Sequence, residues 1–227
     1  MRENLCSIPV SEVFEPKDGC PVCRLFQMLE ERMVDYIMGA AMMEPDIRLE
    51  TNRLGFCHRH LQLMRAKNNR LSLALQLETR LMELKRGLGK ESFAKKGVNV
   101  KPHDCYVCGK IEESLSGFLT TICHLYETQP EFRTLYSEQE CMCYPHYLLL
   151  CEYAEKKIGK KIRGEFRTQT QKLVESSLDQ LQKDLRAYCD LYDYRNKTPP
   201  SEWGALGDSI ERAIWWTTSL PADEKQK

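Results

Sequence analysis

Several things are scarce in this chain of 227 residues. No apolar run approaches the roughly 18 to 20 residues that a membrane-crossing helix needs, and the opening stretch MRENLCSIPVSEVFEPKDG lacks the basic, then apolar, then small-residue order of a secretory signal. Net charge is absent too: 33 basic residues face 33 acidic ones, which removes any global electrostatic pull toward nucleic acid or membrane and leaves only local patches. Alternating apolar and polar runs that would mark strands are nearly missing, so little or no β structure is expected. Paired carboxylates for acid–base work cannot be inferred, because their spacing gives no helical face and no third group is identifiable, and the balance leans away from an enzyme. Cysteine, by contrast, is abundant. Eleven cysteines in a chain expected to be cytoplasmic point to metal ligation or thiol redox chemistry rather than a disulfide framework.

The spacing of those cysteines carries the strongest signal. Two C-x-x-C pairs, Cys20/Cys23 and Cys105/Cys108, interleave with two C-x-x-H pairs, Cys57/His60 and Cys143/His146. The first pairs are offset by 85 residues and the second by 86, with gaps of 33 and 34 residues inside each half. Matched order and offset imply an internal repeat. Two ligands separated by two residues can face one ion from a first helical turn, and two such pairs complete a tetrahedron. Cys3His is a closed zinc set with no coordination position left for water or substrate. Taken in chain order, Cys20, Cys23, Cys57 and His60 would hold one zinc ion, and Cys105, Cys108, Cys143 and His146 a second. An iron–sulfur cluster and a metal-free reactive dithiol are the alternatives. Cys141 and His58 stand beside assigned ligands and could replace them, but the repeat register favours Cys143 and His60. His103 and His124 are read as non-ligands, and Cys6, Cys123, Cys151 and Cys189 as small buried hydrophobes.

Apolar periodicity predicts an all-α helical bundle built from two tandem zinc-clamped repeats. Leu25, Phe26, Leu29, Met33, Val34 and Ile37 mark a helix from Arg24 to Met38, and Ile111, Leu115, Phe118, Leu119, Ile122 and Leu125 mark its counterpart, ended by Pro130. Further helices are expected over Leu61–Ala66, Arg70–Leu88 and Tyr147–Lys157, and a long one over Lys161–Tyr194. That last helix carries Val174, Leu178, Leu181, Leu185, Tyr188 and Tyr192 at seam spacing, which packs within the chain's own bundle or forms a homodimer seam. The expected organisation is a first repeat over 1–88, a linker over 89–104, a second repeat over 105–195, an aromatic C-terminal helix within 196–220 opened by an Asp208/Glu211 capping box, and a polar tail over 221–227.

Three surfaces are candidates for function. The stretch AMMEPDIRLETNR is expected to be irregular or extended, with Glu44, Asp46, Arg48, Glu50 and Asn52 as a ligand or partner loop or else a solvated connector. Lys156, Lys157, Lys160, Lys161, Arg163 and Arg167 form a basic stretch that could bind phosphate, with a solvated helix face as the plain alternative. Tyr192, Tyr194, Trp203, Trp215 and Trp216 concentrate aromatic rings near the C-terminus; Trp215 and Trp216 are adjacent and cannot both point inward on a helix.

The segments SIPVSEVF leading into CPVC, GAAMMEPDIRLETNRLGFCHRH, NRLSLALQLETRL, CYVC, CYPHYLLL and DYRNK resemble a bacterial family of uncharacterised proteins, a domain of unknown function found mostly in Firmicutes. The resemblance covers nearly the whole chain and implies a cytosolic, helical, cysteine-rich protein without an assigned activity. The combined reading is a cytoplasmic zinc-binding helical protein with two structural Cys3His sites, acting on an unknown protein partner as a binding or regulatory module. A thiol-based redox or metal-handling protein is the alternative, and a nucleic-acid-binding regulator the third.

Overall fold

A computed structural model describes residues 7–88, 105–193, 199 and 204–219. The expected linker 89–104, the tail 221–227, Cys6, His103, Tyr194 and Trp203 lie outside the described residues. Among the described residues the secondary structure is helical and no strand occurs: α1 (Ser7–Phe14), α2 (Pro21–Met38), α3 (Pro45–Leu54), α4 (His58–Ala66), α5 (Arg70–Gly87), α6 (Tyr106–Thr128), α7 (Pro130–Ser137), α8 (Tyr144–Lys157), α9 (Lys160–Asp190) and α10 (Ser209–Thr218), with 3₁₀ turns at Ala40–Met43 and Gly204–Leu206. Among the described residues no helix is long and apolar enough to cross a membrane. The chain forms two compact units: Met1–Leu25 together with Gly117–Lys227, and Phe26–Ser116. The division therefore falls inside α2 and α6, whereas the repeat boundaries read from sequence order fall between them.

In the unit of Met1–Leu25 and Gly117–Lys227, an aromatic cluster forms the core. Phe14 meets Phe132 edge-on at 5.1 Å between ring centroids, and Phe166 packs against Tyr126 at 4.8 Å and Tyr136 at 5.3 Å. The Tyr136 hydroxyl shares a 2.8 Å hydrogen bond with Thr170 Oγ1, which satisfies its one polar atom. Each buried ring of this kind contributes on the order of 2–3 kcal/mol. The short helices α1 and α7, which have too few residues for periodicity to declare them, pack on each other and supply Phe14, Phe132 and Tyr136 to this core. Gln139 ties the two segments together by donating 2.7 Å to the Phe14 carbonyl.

The long α9 packs on α8 and α10. Its seam residues Val174 and Leu181 are buried in that bundle, while Leu178 and Tyr192 at the same spacing are exposed. The helix stops at Asp190, four residues short of the expected end, and Leu191 caps it with its own N–H bonded back to Ala187. Of the adjacent tryptophans, Trp216 is buried, stacks on Tyr144 and donates to Ser177 Oγ at 3.2 Å, while Trp215 is half-buried. The capping box does not form. Asp208 makes no side-chain cap; its carboxylate accepts instead from Arg212, which also grips Asp184, both at 2.8 Å.

In the unit Phe26–Ser116, Val34, Ile37 and Met38 of α2 close over Met64 of α4 and over Val107 and Ile111 of α6. The segment expected to be irregular is helix α3. Pro45 cannot extend the preceding 3₁₀ turn, but it fits the first turn of α3, where its missing N–H costs nothing. Arg48 then donates to the Leu75 carbonyl at 2.9 Å and to Thr79 Oγ1 at 2.6 Å, Asn52 accepts from Thr79 at 2.8 Å, and Glu44 accepts from the Tyr36 hydroxyl at 3.1 Å. Arg48 and Asn52 thus fasten α3 to α5. Asn69 caps α5 by accepting from the Ser72 N–H at 3.1 Å, and Gln76 donates to the Ile37 carbonyl at 2.9 Å.

Candidate metal centres

The eight predicted ligands gather into two groups, in an order different from the one expected. Cys20, Cys23, Cys143 and His146 form one cluster; Cys57, His60, Cys105 and Cys108 form the other, and within each all ligand atoms lie within 4.8 Å of one another. The in-order grouping of Cys20 and Cys23 with Cys57 and His60, and of Cys105 and Cys108 with Cys143 and His146, is thereby corrected. Helix length supplies the reason. The 18-residue α2 is about 27 Å long and the 10-residue α3 about 15 Å, so α3 is too short to span the length of α2. In the second half the same imbalance recurs, with 23 residues in α6 against 8 in α7. Each cysteine pair therefore meets the C-x-x-H turn of the other half.

Every ligand pair sits on the opening turn of a helix. The carbonyls of Cys20, Cys57, Cys105 and Cys143 accept the first helical hydrogen bonds, from the N–H groups of Arg24, Leu61, Gly109 and Tyr147 at 2.9–3.2 Å. In each pair the first ligand caps the helix and the second stands at its third position, so both side chains project from one end. Each cluster consequently faces two helix N-termini, α2 with α8 and α4 with α6, whose partial positive charge favours thiolate over thiol. Gly19 and Gly55 precede two of these turns with φ of +74°, a conformation that favours glycine. Gly55 also accepts from the Tyr106 N–H at 3.0 Å, which strings the Cys57 turn directly to the Cys105 turn.

Inside the clusters the ligand atoms lie close to, and for most nitrogen–sulfur pairs a few tenths of an ångström inside, the separations of a single-ion tetrahedron. Around His146 Nδ1 the sulfurs of Cys143, Cys23 and Cys20 stand at 3.0, 3.3 and 3.7 Å, and Cys23 lies 3.6 Å from Cys143. Around His60 Nδ1 the sulfurs of Cys57, Cys105 and Cys108 stand at 3.1, 3.3 and 3.4 Å, and Cys57 lies 3.9 Å from Cys108. Four ligands at zinc-like bond lengths of about 2.3 Å for sulfur and 2.0 Å for nitrogen would be separated by roughly 3.5–3.8 Å. Both histidines thus present Nδ1. Cys141 is not a member of its neighbouring cluster, and His58 points away to Gln62.

The electrostatics of the clusters prepare one thiolate each. Burial opposes ionisation of Cys20, but hydrogen bonds from Cys143 and Cys23 and the nearby His146 hold its thiol well below the ordinary range. In the second cluster burial is again overcome, and the His60 contact brings Cys105 down to about 6. Three of the other thiols move the other way: burial and then the Cys105 thiolate push Cys108 up to about 12, hydrogen bonding to Cys143 raises Cys23, and hydrogen bonding to Cys20 raises Cys143. Outside the clusters, burial pushes Cys123 up to about 12 and Cys141 up to about 11, as expected of inert packed thiols.

The two centres differ in their surroundings. His60 Nε2 lies 3.1 Å from Glu30 Oε1, and the buried Glu30 carboxylate also receives both arms of Arg59 at 2.8 Å. Burial works against this carboxylate's charge, but Arg59 and His60 hold it down at about 2; burial likewise works against the His60 charge, and Cys105 with Glu30 lifts it to about 10. An outer carboxylate that fixes the tautomer and ring of a ligand histidine is a common partner of metal sites. Sequence spacing did not reveal Glu30 or Arg59. The available signal was an acidic residue on the apolar stripe of α2, in register with Phe26, Val34 and Ile37. The first centre is the more enclosed, with Cys20 and Cys143 buried, whereas Cys108 of the second is exposed.

The other candidates are not gathered into comparable sites. In the basic stretch Lys156 pairs with Glu152 at 2.5 Å and Arg163 with Glu155 at 2.9 Å, so acids of α8 offset part of its charge; Lys157, Lys160, Lys161 and Arg167 are exposed. His124 is exposed on α6, away from both clusters.

Residues 1–224 match a family described as a family of unknown function, DUF6062. No curated protein and no solved structure matches the chain.

Proposed function

The chain belongs to this family of unknown function, and from its two Cys/His centres we propose that it is a zinc-binding helical protein in which both ions are structural and the helical frame they clamp serves as a binding or regulatory module for a protein partner. The carrying observation is the pair of closed four-ligand sets, each built on two helix N-termini with single-ion spacing. Four protein ligands leave no position for a reacting water, which favours a clamp over a catalyst. An iron–sulfur cluster would insert several atoms between the thiolates and demand wider sulfur separations than the 3.6 and 3.9 Å found here. The first ion would fasten Cys23 to Cys143 across 120 residues of chain, joining the two segments of one unit; the second would close Phe26–Ser116 on itself. A cytoplasmic setting fits this use of cysteine. Elemental analysis of protein purified without added metal tests the reading: two zinc ions per chain and no visible absorption are expected, and a coloured, iron-containing protein would overturn it.

A second reading rests on the exposed edge of the second centre, where Cys57 and Cys108 lie 3.9 Å apart. There a peroxide could oxidise two thiolates to a disulfide, itself being reduced to water, with release of the ion. Reversible loss of one zinc equivalent under mild peroxide would favour that redox role; retention of both ions would leave the structural one.

A further inference from the structure

Helix α5 carries an apolar face that the described residues of its own unit leave largely exposed. Its inner side meets α3 and α4 through Ser72, Leu73, Gln76, Thr79 and Arg80. On the outer side Leu77, Leu81, Leu84 and Leu88 succeed one another at intervals of four, three and four residues, and they are 37, 63, 48 and 70% exposed. That spacing is the alternating a and d seam of a helical pair, and a continuous apolar row is more than a soluble surface ordinarily leaves uncovered.

We propose that this face is a homodimer interface in which α5 pairs with α5 of a second copy in antiparallel orientation. Two features of the sequence select a second copy as the occupant and fix its direction. First, the seam is self-complementary: in an antiparallel pair with a twofold axis between Leu81 and Leu84, each Leu81 layers with Leu84 of the other copy and each Leu77 with Leu88, so all four leucines are buried at once. Second, the flanking charges match only in that direction. Glu78 and Lys85 occupy equivalent positions beside the seam, both are exposed, and antiparallel pairing sets each Glu78 against Lys85 of the other copy, twice by symmetry. A parallel pair would instead leave Glu78 and Lys85 on the same flank of the seam without facing each other, so neither charge would be matched.

The experiment is sedimentation velocity on the full, metal-loaded chain over a concentration series, with helical content and zinc content as folding controls. A dimer is expected for the wild type. Leu81→Asp should weaken it about a hundredfold or more by placing a charge in two apolar layers, and it leaves the helix's inner contacts untouched. Lys85→Glu alone should weaken the dimer roughly tenfold, the product of two symmetric pairs each changed by about threefold. Glu78→Lys should do the same, and the combined Glu78→Lys, Lys85→Glu variant should recover wild-type association. A wild type that remains monomeric throughout the series, or a dimer indifferent to Leu81→Asp, would overturn the proposal. A dimer tightened by Lys85→Glu would overturn its antiparallel direction.

Discussion

Replacing Glu30 by glutamine should loosen one metal and leave the other alone. In the wild type the carboxylate takes two 2.8 Å hydrogen bonds from Arg59 and stands 3.1 Å from His60 Nε2, so His60 is held with Nε2 as donor and Nδ1 toward the three sulfurs. Glutamine keeps the shape but removes the charge and turns one acceptor into a donor, which leaves either Arg59 or His60 facing an N–H. Loss of such an outer partner lowers metal affinity by about 10- to 100-fold, or about 1.4–2.7 kcal/mol. Competition with a chromophoric chelator resolves this: one zinc equivalent should leave at correspondingly lower chelator concentration, while the equivalent held by Cys20, Cys23, Cys143 and His146 titrates as before. Equal weakening of both, or of neither, would refute the role assigned to Glu30. Acid gives a second readout with a defined sign. The folded-state carboxyl lies near 2, below its ordinary 4.5, so its stabilisation is complete above about pH 4.5 and is lost as pH falls toward 2. The stability gap between wild type and Glu30→Gln should therefore narrow over that window.

Zinc loading at neutral pH should release at least two protons at the second centre, one from Cys108, held up at about 12, and one from His60, held up at about 10; calorimetry in two buffers of different ionisation enthalpy counts them, and a value near zero would contradict the charge state described. Gly55→Ala should destabilise the protein by about 1 kcal/mol or more, because φ is +74° there and a new Cβ would sit 3.0 Å from Arg80 Nε; an unchanged denaturant midpoint would show that the turn tolerates a side chain. Chelation of both ions should lower the melting temperature of the wild type markedly, since ions that bind only the folded chain stabilise it by mass action; equal melting with and without chelator would argue against clamps.

The helices were legible wherever apolar spacing ran through several turns. The stripe from Leu25 to Ile37 became α2, and that from Ile111 to Leu125 became α6. Short elements were not: α1 and α7, of eight residues each, span barely two turns, and the stretch expected to be irregular holds α3, whose first turn accommodates Pro45. At the metal centres, the identity of the ligands was written in local spacing because C-x-x-C and C-x-x-H each describe one helical turn. Their partnership was not, since it depends on how far α2 and α6 carry the chain before it returns. Glu30 escaped for a related reason: it meets His60 only through tertiary packing, 30 residues away.

The crossed pairing is decided most directly by metal content in two double variants. Cys20→Ser with Cys143→Ser removes two ligands from one centre and should leave one zinc per chain, whereas Cys20→Ser with Cys57→Ser removes one ligand from each and should leave neither ion tightly held. The opposite pattern, one zinc retained in the Cys20/Cys57 variant and none in the Cys20/Cys143 variant, would show that each half binds its own ion and would contradict the arrangement described.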